Sequence, residues 1–406
     1  MPANLIGLFG IAVILGIAVA FSTNRRAINL RVVAAAFALQ VALAALVLYV
    51  DWGRRAIDWL SDGVLAVIAY SQAGIDMVFG PLADTENIGF SFAINVLPII
   101  IFFSALMSVL YHLRIMEWVV RLLGGALHRI IGTGGVESMN AAANIFVGQT
   151  EAPLVVRPYL RGLTEPQMFA VMASGLASIA GTVLAAYSLL GAELRYLLAA
   201  SFMAAPGGLL MAKLLMPDEH SVAGEKETLK MERSEHENVI LAAAVGASDG
   251  LKLAVNIGAM LIAFVALIAL FNGVVGMVTG WFGQPLTLQD MLGFVFSPLM
   301  FTVGVPWEEA GAAGALFGEK VILNEFVAFS HLNDYLGEAS ERTRAIVTFS
   351  LCGFANLSSI AILLGGLGIL VPEKRELIAR FGLRAVLAGS LSNLMSAALA
   401  GLLLVF

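Results

Sequence analysis

Residues 143–156 read ANIFVGQTEAPLVV, so Asn144, Gln149, Thr150 and Glu151 crowd together with Gly148 among them and Pro153 just behind. An amide side chain carries both donor and acceptor, which suits the edge of a planar base. An ionised carboxylate only accepts, which suits the hydroxyls of a sugar. A second polar group follows later in the chain, with Asn324 and Glu325 in NEFVAF and Asn356, Ser358 and Ser359 in FANLSSIAIL. The oxygens of Asn144 and Ser178, with carbonyls freed where a helix breaks, suit a hard cation. The chemistry on offer is cation-coupled binding of a polar, hydroxyl-rich small molecule.

These groups sit in an oily chain. Of 406 residues, 59% are hydrophobic and 13% charged, with mean hydropathy +0.90. Soluble domains run about 45–50% apolar and about 25% charged, so the composition excludes a soluble fold. A membrane-buried carboxylate costs about 2.5–3.5 kcal/mol on insertion scales, and such acids are functional by default. For the amide and hydroxyls of FANLSSIAIL, helix–helix hydrogen bonding is the competing role.

A spanning helix needs about 20 mostly apolar residues. About eight stretches qualify, near 4–22, 28–50, 92–112, 168–189, 193–215, 251–273, 347–371 and 384–405. Residues 54–80 carry Ile57, Leu60, Val64 and Val67 at helical spacing with Arg54, Arg55, Asp58 and Asp62 between them, the pattern of an interfacial amphipathic helix. Two apolar regions, 130–160 and 290–335, are punctuated by Gly, Pro and acids. The first reads as a re-entrant hairpin: a half-helix to about Val147, a turn at Gly148, Thr150 capping a second half-helix and Pro153 in its first turn. Glu151 then stands at a half-helix N-terminus, where the dipole favours an anion. The second hairpin begins at Pro306 and breaks near Asn324–Glu325.

The halves resemble each other. Aligning GLASI at Gly175 with GFANL at Gly353 gives an offset of 178 residues, and Glu151 and Glu325 are 174 apart. Each half thus holds a broken carboxylate segment followed by a helix with a polar middle, as in secondary transporters built from two repeats. An odd number of crossings between the copies makes the repeat inverted. Irregular backbone at such depth is tolerated only where protein or a water-filled cavity covers it.

Other classes find little support. Cys352 is the single cysteine, and His112, His128, His220, His236 and His331 have no metal-ligand spacing. No phosphate loop and no nucleophile–base pair stands out, so the chain reads as neither a nucleotide-driven pump nor an enzyme. A channel needs a continuous polar path, which two occluding hairpins would interrupt. No nucleic-acid partner is expected.

The start of the chain has no Lys or Arg before its apolar run, against a cleaved signal, and STNRRAINLR follows it. The positive-inside rule puts Arg25, Arg26 and Arg31 in the cytoplasm and the N-terminus outside. With eight crossings, PEKRELIARFGLR (372–384) also falls inside and the C-terminus outside. The mixed-charge stretch 217–238 reads as a cytoplasmic linker.

The segments ESMNAAANIFVGQTEAPLVVRP, SGLASIAG, SFMAAPGGLL, GVPWEEA, NEFVAF and CGFANLSSIAILLGGLG resemble the signatures of the concentrative nucleoside transporter family, with NRRAINLR and GSLSNLMSAALAG near the ends. The likeness covers nearly the whole chain and is closest to sodium-coupled bacterial members. It implies an all-α polytopic membrane protein of about eight transmembrane helices, two re-entrant hairpins and interfacial helices. It further implies an inverted repeat divided between scaffold and transport parts, working as an elevator in a homotrimer of the bacterial inner membrane. Carried over by position, Gln149 and Thr150 match residues binding the base, and Glu151 one reaching it through water. Glu325, Asn356 and Ser359 match those holding the ribose, and Val183 and Phe354 apolar walls. Asn144, Ser178 and the carbonyls of Val147 and Ile179 match a sodium site. Gly148, Thr182 and Val183 fall where the family varies with base preference, and the reading favours pyrimidine nucleosides, uridine above all. Proton coupling is the alternative, and transport of a free nucleobase a second rival.

On this reading residues 1–112 hold scaffold helices and the interfacial helix, 113–215 the first repeat and 216–250 an acidic cytoplasmic loop. Residues 251–285 form a scaffold helix and 286–406 the second repeat.

Overall fold

The computed structural model describes residues 3–218, 237–281 and 283–404, and these are helical throughout. The linker expected at 217–238, with His220 and His236, lies almost wholly outside them. The chain opens with α1 (Ala3–Ala20), α2 (Leu30–Leu48) and α3 (Asp51–Phe79), then the short α4 (Phe92–Asn95) and α5 (Leu97–His112). Next come α6 (Ile115–Ile131) and the first hairpin, α7 (Gly135–Ala143) and α8 (Ala152–Val155). The first broken helix is α9 (Glu165–Ala177) and α10 (Gly181–Leu189), followed by α11 (Leu194–Leu215) and the long α12 (Val239–Gly280). Then α13 (Leu288–Thr302) leads into the second hairpin, α14 (Trp307–Ile322) and α15 (Glu325–Ser330), and α16 (Leu332–Leu336). The second broken helix is α17 (Glu341–Leu351) and α18 (Ser358–Gly365), before α19 (Leu367–Leu370) and α20 (Arg375–Leu403).

Among the described residues seven helices are long and apolar enough to cross a membrane, or eight if the bent pair Leu288–Thr302 and Trp307–Ile322 is one span. The number agrees with the expectation, but its membership differs. The 347–371 stretch is not one rod: α17 stops at Leu351 and α18 starts at Ser358. Its polar middle, together with Gly353, interrupts the helix. The stretch 251–273 is the middle of a helix that starts at Val239, where the Asn238 side chain accepts from the Leu241 amide. Residues 239–250 therefore belong to that helix and not to the loop expected there. The bent pair, hinged by 117° where Gly304 and Pro306 interrupt it, falls in the second region punctuated by Gly, Pro and acids. Helix α3 buries a narrow stripe of Gly53, Ile57, Ser61, Ser71 and Ile75, as its amphipathic spacing requires. Its length and composition also meet the requirement for a span.

Burial divides the helices. Helices α9, α11 and α20 form the centre, with α11 and the second half of α20 buried nearly all round. Helix α12 buries only Ala242, Gly246, Gly250, Ala254, Ile257 and Ile268, and packs chiefly along α5. Its four-residue rhythm of small residues lets the backbones approach, the usual device where lipid supplies no hydrophobic drive between helices.

Three basic connections, holding Arg25 and Arg26, Arg161, and Lys374 and Arg380, lie on one face. The Thr23 amide donates to the Leu215 carbonyl at 2.9 Å, joining the STNRR turn to the end of α11. At the start of α9, Arg380 pairs with Glu165 at 2.7 Å and Arg161 with Glu373 at 3.2 Å. Since the chain leaves this face through α9 and α10 and returns through α11, all three basic segments lie together.

A side chain placed at Gly250 would put its Cβ 2.7 Å from the Ser104 Cβ, whereas Gly273 has nothing within 4 Å. Gly250→Leu should destabilise by about 1–3 kcal/mol through overpacking, read as a lower thermal midpoint in detergent. Gly273→Leu, on the same helix, should leave that midpoint unchanged.

Candidate substrate and ion site

Four interruptions in the helices meet. In the first hairpin α7 ends at Ala143, and residues 144–151 form an irregular turn before α8. This corrects two expectations. The half-helix stops four residues short of Val147, and Glu151 rather than Thr150 is the N-cap of α8, with no side-chain cap bond. Pro153 does stand in the first turn of α8, where a missing N–H costs nothing. In the second hairpin Pro306 is the N-cap of α14, and the Asn324 side chain caps α15 by accepting from the Val327 amide at 2.9 Å.

Each hairpin is tied to the broken helix of its own repeat by the same bond. The Gly181 amide donates to the Phe146 carbonyl at 2.9 Å, and the Leu357 amide to the Val321 carbonyl at 3.0 Å. Donors and acceptors repeat at nearly the spacing that relates Glu151 to Glu325, so the internal likeness is structural. The two breaks also touch, the Phe354 amide donating to the Ser178 carbonyl at 3.1 Å.

Side chains carry the connection through all four elements. Gln149 Nε2 donates to Ser359 Oγ at 3.3 Å. The Ser359 amide donates to Asn356 Oδ1 at 2.8 Å, and Asn356 Nδ2 to Glu325 Oε2 at 2.9 Å. Tyr187 completes the chain, its hydroxyl donating to Glu325 Oε1 at 3.0 Å. All five side chains are at most 5% exposed. Tyr187 was not anticipated, although a tyrosine within the apolar LAAYSLL should find a partner for its O–H when buried. Its ring stacks on Phe329, centroids 4.5 Å apart.

Other expected residues fall around this line. Val183 is buried on α10 and Phe354 half-buried at the second break. Thr150 is half-buried, its methyl turned toward Gly366. Glu151 is exposed, its carboxylate beside Gly148, and it does not join the bonds of Glu325. The two acids thus have different surroundings, one enclosed and one open.

Beside Gln149 lies a second feature. Asn144 is 1% exposed and its Nδ2 donates to the Asn140 carbonyl at 2.9 Å, leaving Oδ1 without a partner. Gln149 Oε1 is likewise buried and unpartnered. Gly175 explains the closeness here: its Cβ, if present, would lie 3.1 Å from the Gln149 Cβ and 3.8 Å from Asn144 Oδ1. Ser178 Oγ donates to the Gly175 carbonyl at 3.2 Å, and Ile179 and Val147 are both buried. Among the described residues no three His, Cys, Asp or Glu side chains gather as metal ligands. The donors here are neutral oxygens, which suit a hard monovalent cation rather than a transition metal.

Paired hairpins and broken helices meeting at a buried polar centre define a secondary transporter. Family models described as the sodium-dependent nucleoside transporter N-terminus, nucleoside recognition, and the sodium-dependent nucleoside transporter C-terminus match residues 9–82, 93–193 and 196–401. The nucleoside permease NupC of Helicobacter pylori is 51% identical, with 98% of each chain covered. Sodium/nucleoside cotransporter 1 of Mus musculus is 38% identical over all of this chain and 64% of its own length. The solved transporter CNTnw in an inward-facing substrate-bound state is 54% identical, with TM-score 0.93 over 99% of this chain and 98% of that one. An outward-facing variant of CNTnw gives TM-score 0.95 at 53% identity, covering 99% of both chains. The chain belongs to the concentrative nucleoside transporter family, a family of sodium-dependent permeases and not of enzymes.

Tyr187→Phe keeps the ring and removes the bond to the Glu325 carboxylate. A hydrogen bond to a charged group contributes about 1.5–3 kcal/mol to stability, so the thermal midpoint should fall, and with the Glu325 carboxylate no longer held KM for nucleoside should rise roughly tenfold. An unchanged KM would make Tyr187 a packing residue only.

Proposed function

We propose that this protein imports nucleosides by symport with sodium, pyrimidine nucleosides such as uridine foremost, through elevator-type alternating access. The observation that carries the reading is the buried line Gln149–Ser359–Asn356–Glu325–Tyr187, which joins both hairpins to both broken helices. Glu325, Asn356 and Ser359 supply the acceptors and donors that a ribose needs. Gln149 turns an unused Oε1 toward the same region for a base. Thr150, and Glu151 through water, would complete the contacts to the base, with Val183 and Phe354 as apolar walls. Nucleoside binding would exchange bonds within this line for bonds to the guest, so little desolvation is left uncompensated.

Sodium would sit at Asn144 Oδ1 and Ser178 Oγ with the carbonyls of Val147 and Ile179. The unpartnered Oδ1 supports this, and neither carbonyl accepts a hydrogen bond among the described residues. An ion there would hold the 144–151 turn in the shape that presents Gln149, so ion and nucleoside affinities rise together.

The basic segments on one face support a cytoplasmic position for that face and an outer position for both termini, in a bacterial inner membrane. Helices α5 and α12, packed chiefly on each other, suit the scaffold of a homotrimer, and the buried centre suits the moving part. Each protomer would carry its own complete site, since both hairpins and both broken helices belong to one chain.

Reconstitution in liposomes with labelled uridine separates the alternatives. Accumulation is expected under a sodium gradient and not under a proton gradient alone; the reverse would establish proton coupling. Competition by uracil as strong as by uridine would reject ribose recognition. In Asn144→Ala the sodium concentration for half-maximal uptake should rise roughly tenfold, the loss of about 1.4 kcal/mol, with uptake recovering at high sodium. An unaltered sodium dependence would remove the ion from this position.

A further inference from the structure

We propose that the Lys320 ammonium is a tethered cation that does for the second hairpin what sodium does for the first; the inference rests on the sodium site proposed above. In each repeat two half-helices end side by side. In the first, α7 and α9 finish at Ala143 and Ala177, with no basic residue in the last turn of either. In the second, α14 and α17 finish at Ile322 and Leu351, and Lys320 stands in the last turn of α14. Helix C-termini carry partial negative charge and unpaired carbonyls, and they attract cations. The first pair leaves oxygens without partners; the second meets the same need with its own side chain.

The register supports the comparison. Phe146 and Val321 are counterparts, each accepting from the broken helix of its own repeat. Lys320 immediately precedes Val321 within the last turn of α14, and Asn144, the C-cap of α7, precedes Phe146 by two, so both stand where the first half-helix of their hairpin ends. Lys320 is completely buried, and its Nζ donates to Asn393 Oδ1 at 2.9 Å. Asn393, on α20, donates through Nδ2 to the Ala177 carbonyl at 2.7 Å and to the Cys352 carbonyl at 2.5 Å. One amide therefore binds the terminal carbonyls of both broken half-helices and presents its oxygen to the ammonium. The adjacent acid does not consume the charge, because Glu319 accepts from Gln289 at 2.7 Å and lies 3.0 Å from His331 Nδ1. Among the described residues no carboxylate lies within 4.0 Å of Lys320 Nζ. A buried ammonium without an ion pair is costly; the Asn393 oxygen and the nearby helix C-termini offset it here, with the Glu325 carboxylate favouring the charge from beyond ion-pair distance.

The consequence is an asymmetric carrier. The second hairpin stays docked whatever the ionic conditions, and only the first is ion-gated, so one sodium accompanies each nucleoside. The flux ratio can be read in proteoliposomes as the voltage at which net uptake of labelled uridine vanishes under fixed gradients. The wild-type chain should move one sodium per uridine; a ratio of two would overturn the proposal without any variant. Lys320→Asn replaces the ammonium with a neutral oxygen. It should admit a second sodium, raising the ratio to two and the Hill coefficient for sodium from about 1 toward about 2; an unchanged ratio overturns the proposal. If that variant does not fold, Lys320→Met asks the same question. A KM for uridine raised roughly tenfold with sodium half-saturation unaltered supports the proposal, and both constants at wild-type values overturn it. Asn144→Ala keeps the two readings apart, since sodium dependence unaltered there rejects the first site and says nothing of Lys320.

Discussion

A helix interrupted inside a membrane exposes amides and carbonyls that no water can satisfy, and each one left unpaired costs several kcal/mol. This protein interrupts its helices four times and brings the four interruptions together, so that each satisfies the others. Phe146 accepts from Gly181, Val321 from Leu357 and Ser178 from Phe354. Asn393 then takes the carbonyls of Ala177 and Cys352 that remain. The proposed substrate and ion sites would occupy what these backbone exchanges leave over. A polar centre of this kind cannot be built one element at a time, because any hairpin without its broken helix would carry unpaired groups into lipid.

Burial follows from the same requirement. The helices that carry or brace the breaks are enclosed, while α12 keeps most of its surface outward and touches α5 along a strip of small residues.

Much of this was legible in the lettering. Apolar stretches of spanning length, the basic turns, the matched GLASI and GFANL and the two acids gave the class, the repeat and most of the side chains at the centre. What could not be read were features decided by tertiary neighbours. Hydropathy sums over a window, so it ran 347–371 together across the break at Cys352–Leu357. It gives no weight to a lone Tyr187 whose partner, Glu325, lies 138 residues away. Thr150 looked like a cap because its residue type favours one, but the turn from Asn144 to Glu151 runs longer than a two-residue reversal and leaves it turned to Gly366. Asn393 lies in an ordinary-looking small-residue helix, and its three bonds appear only when α9, α14 and α17 are assembled around it.

The two hairpins, alike in plan, differ in how completely they are satisfied. The second has a side-chain cap at Asn324, a continuation into α16 and an internal cation at Lys320. The first has a second half-helix of four residues without a side-chain cap, and unpartnered oxygens on Asn144 and Gln149. Incomplete satisfaction is a reserve of free energy that a ligand can collect, and a ligand shifts a conformation only by its difference in affinity between states. The hairpin with missing partners is therefore the one whose geometry an ion and a nucleoside can control. On the proposed ion site, completeness in the second repeat would let the first respond alone.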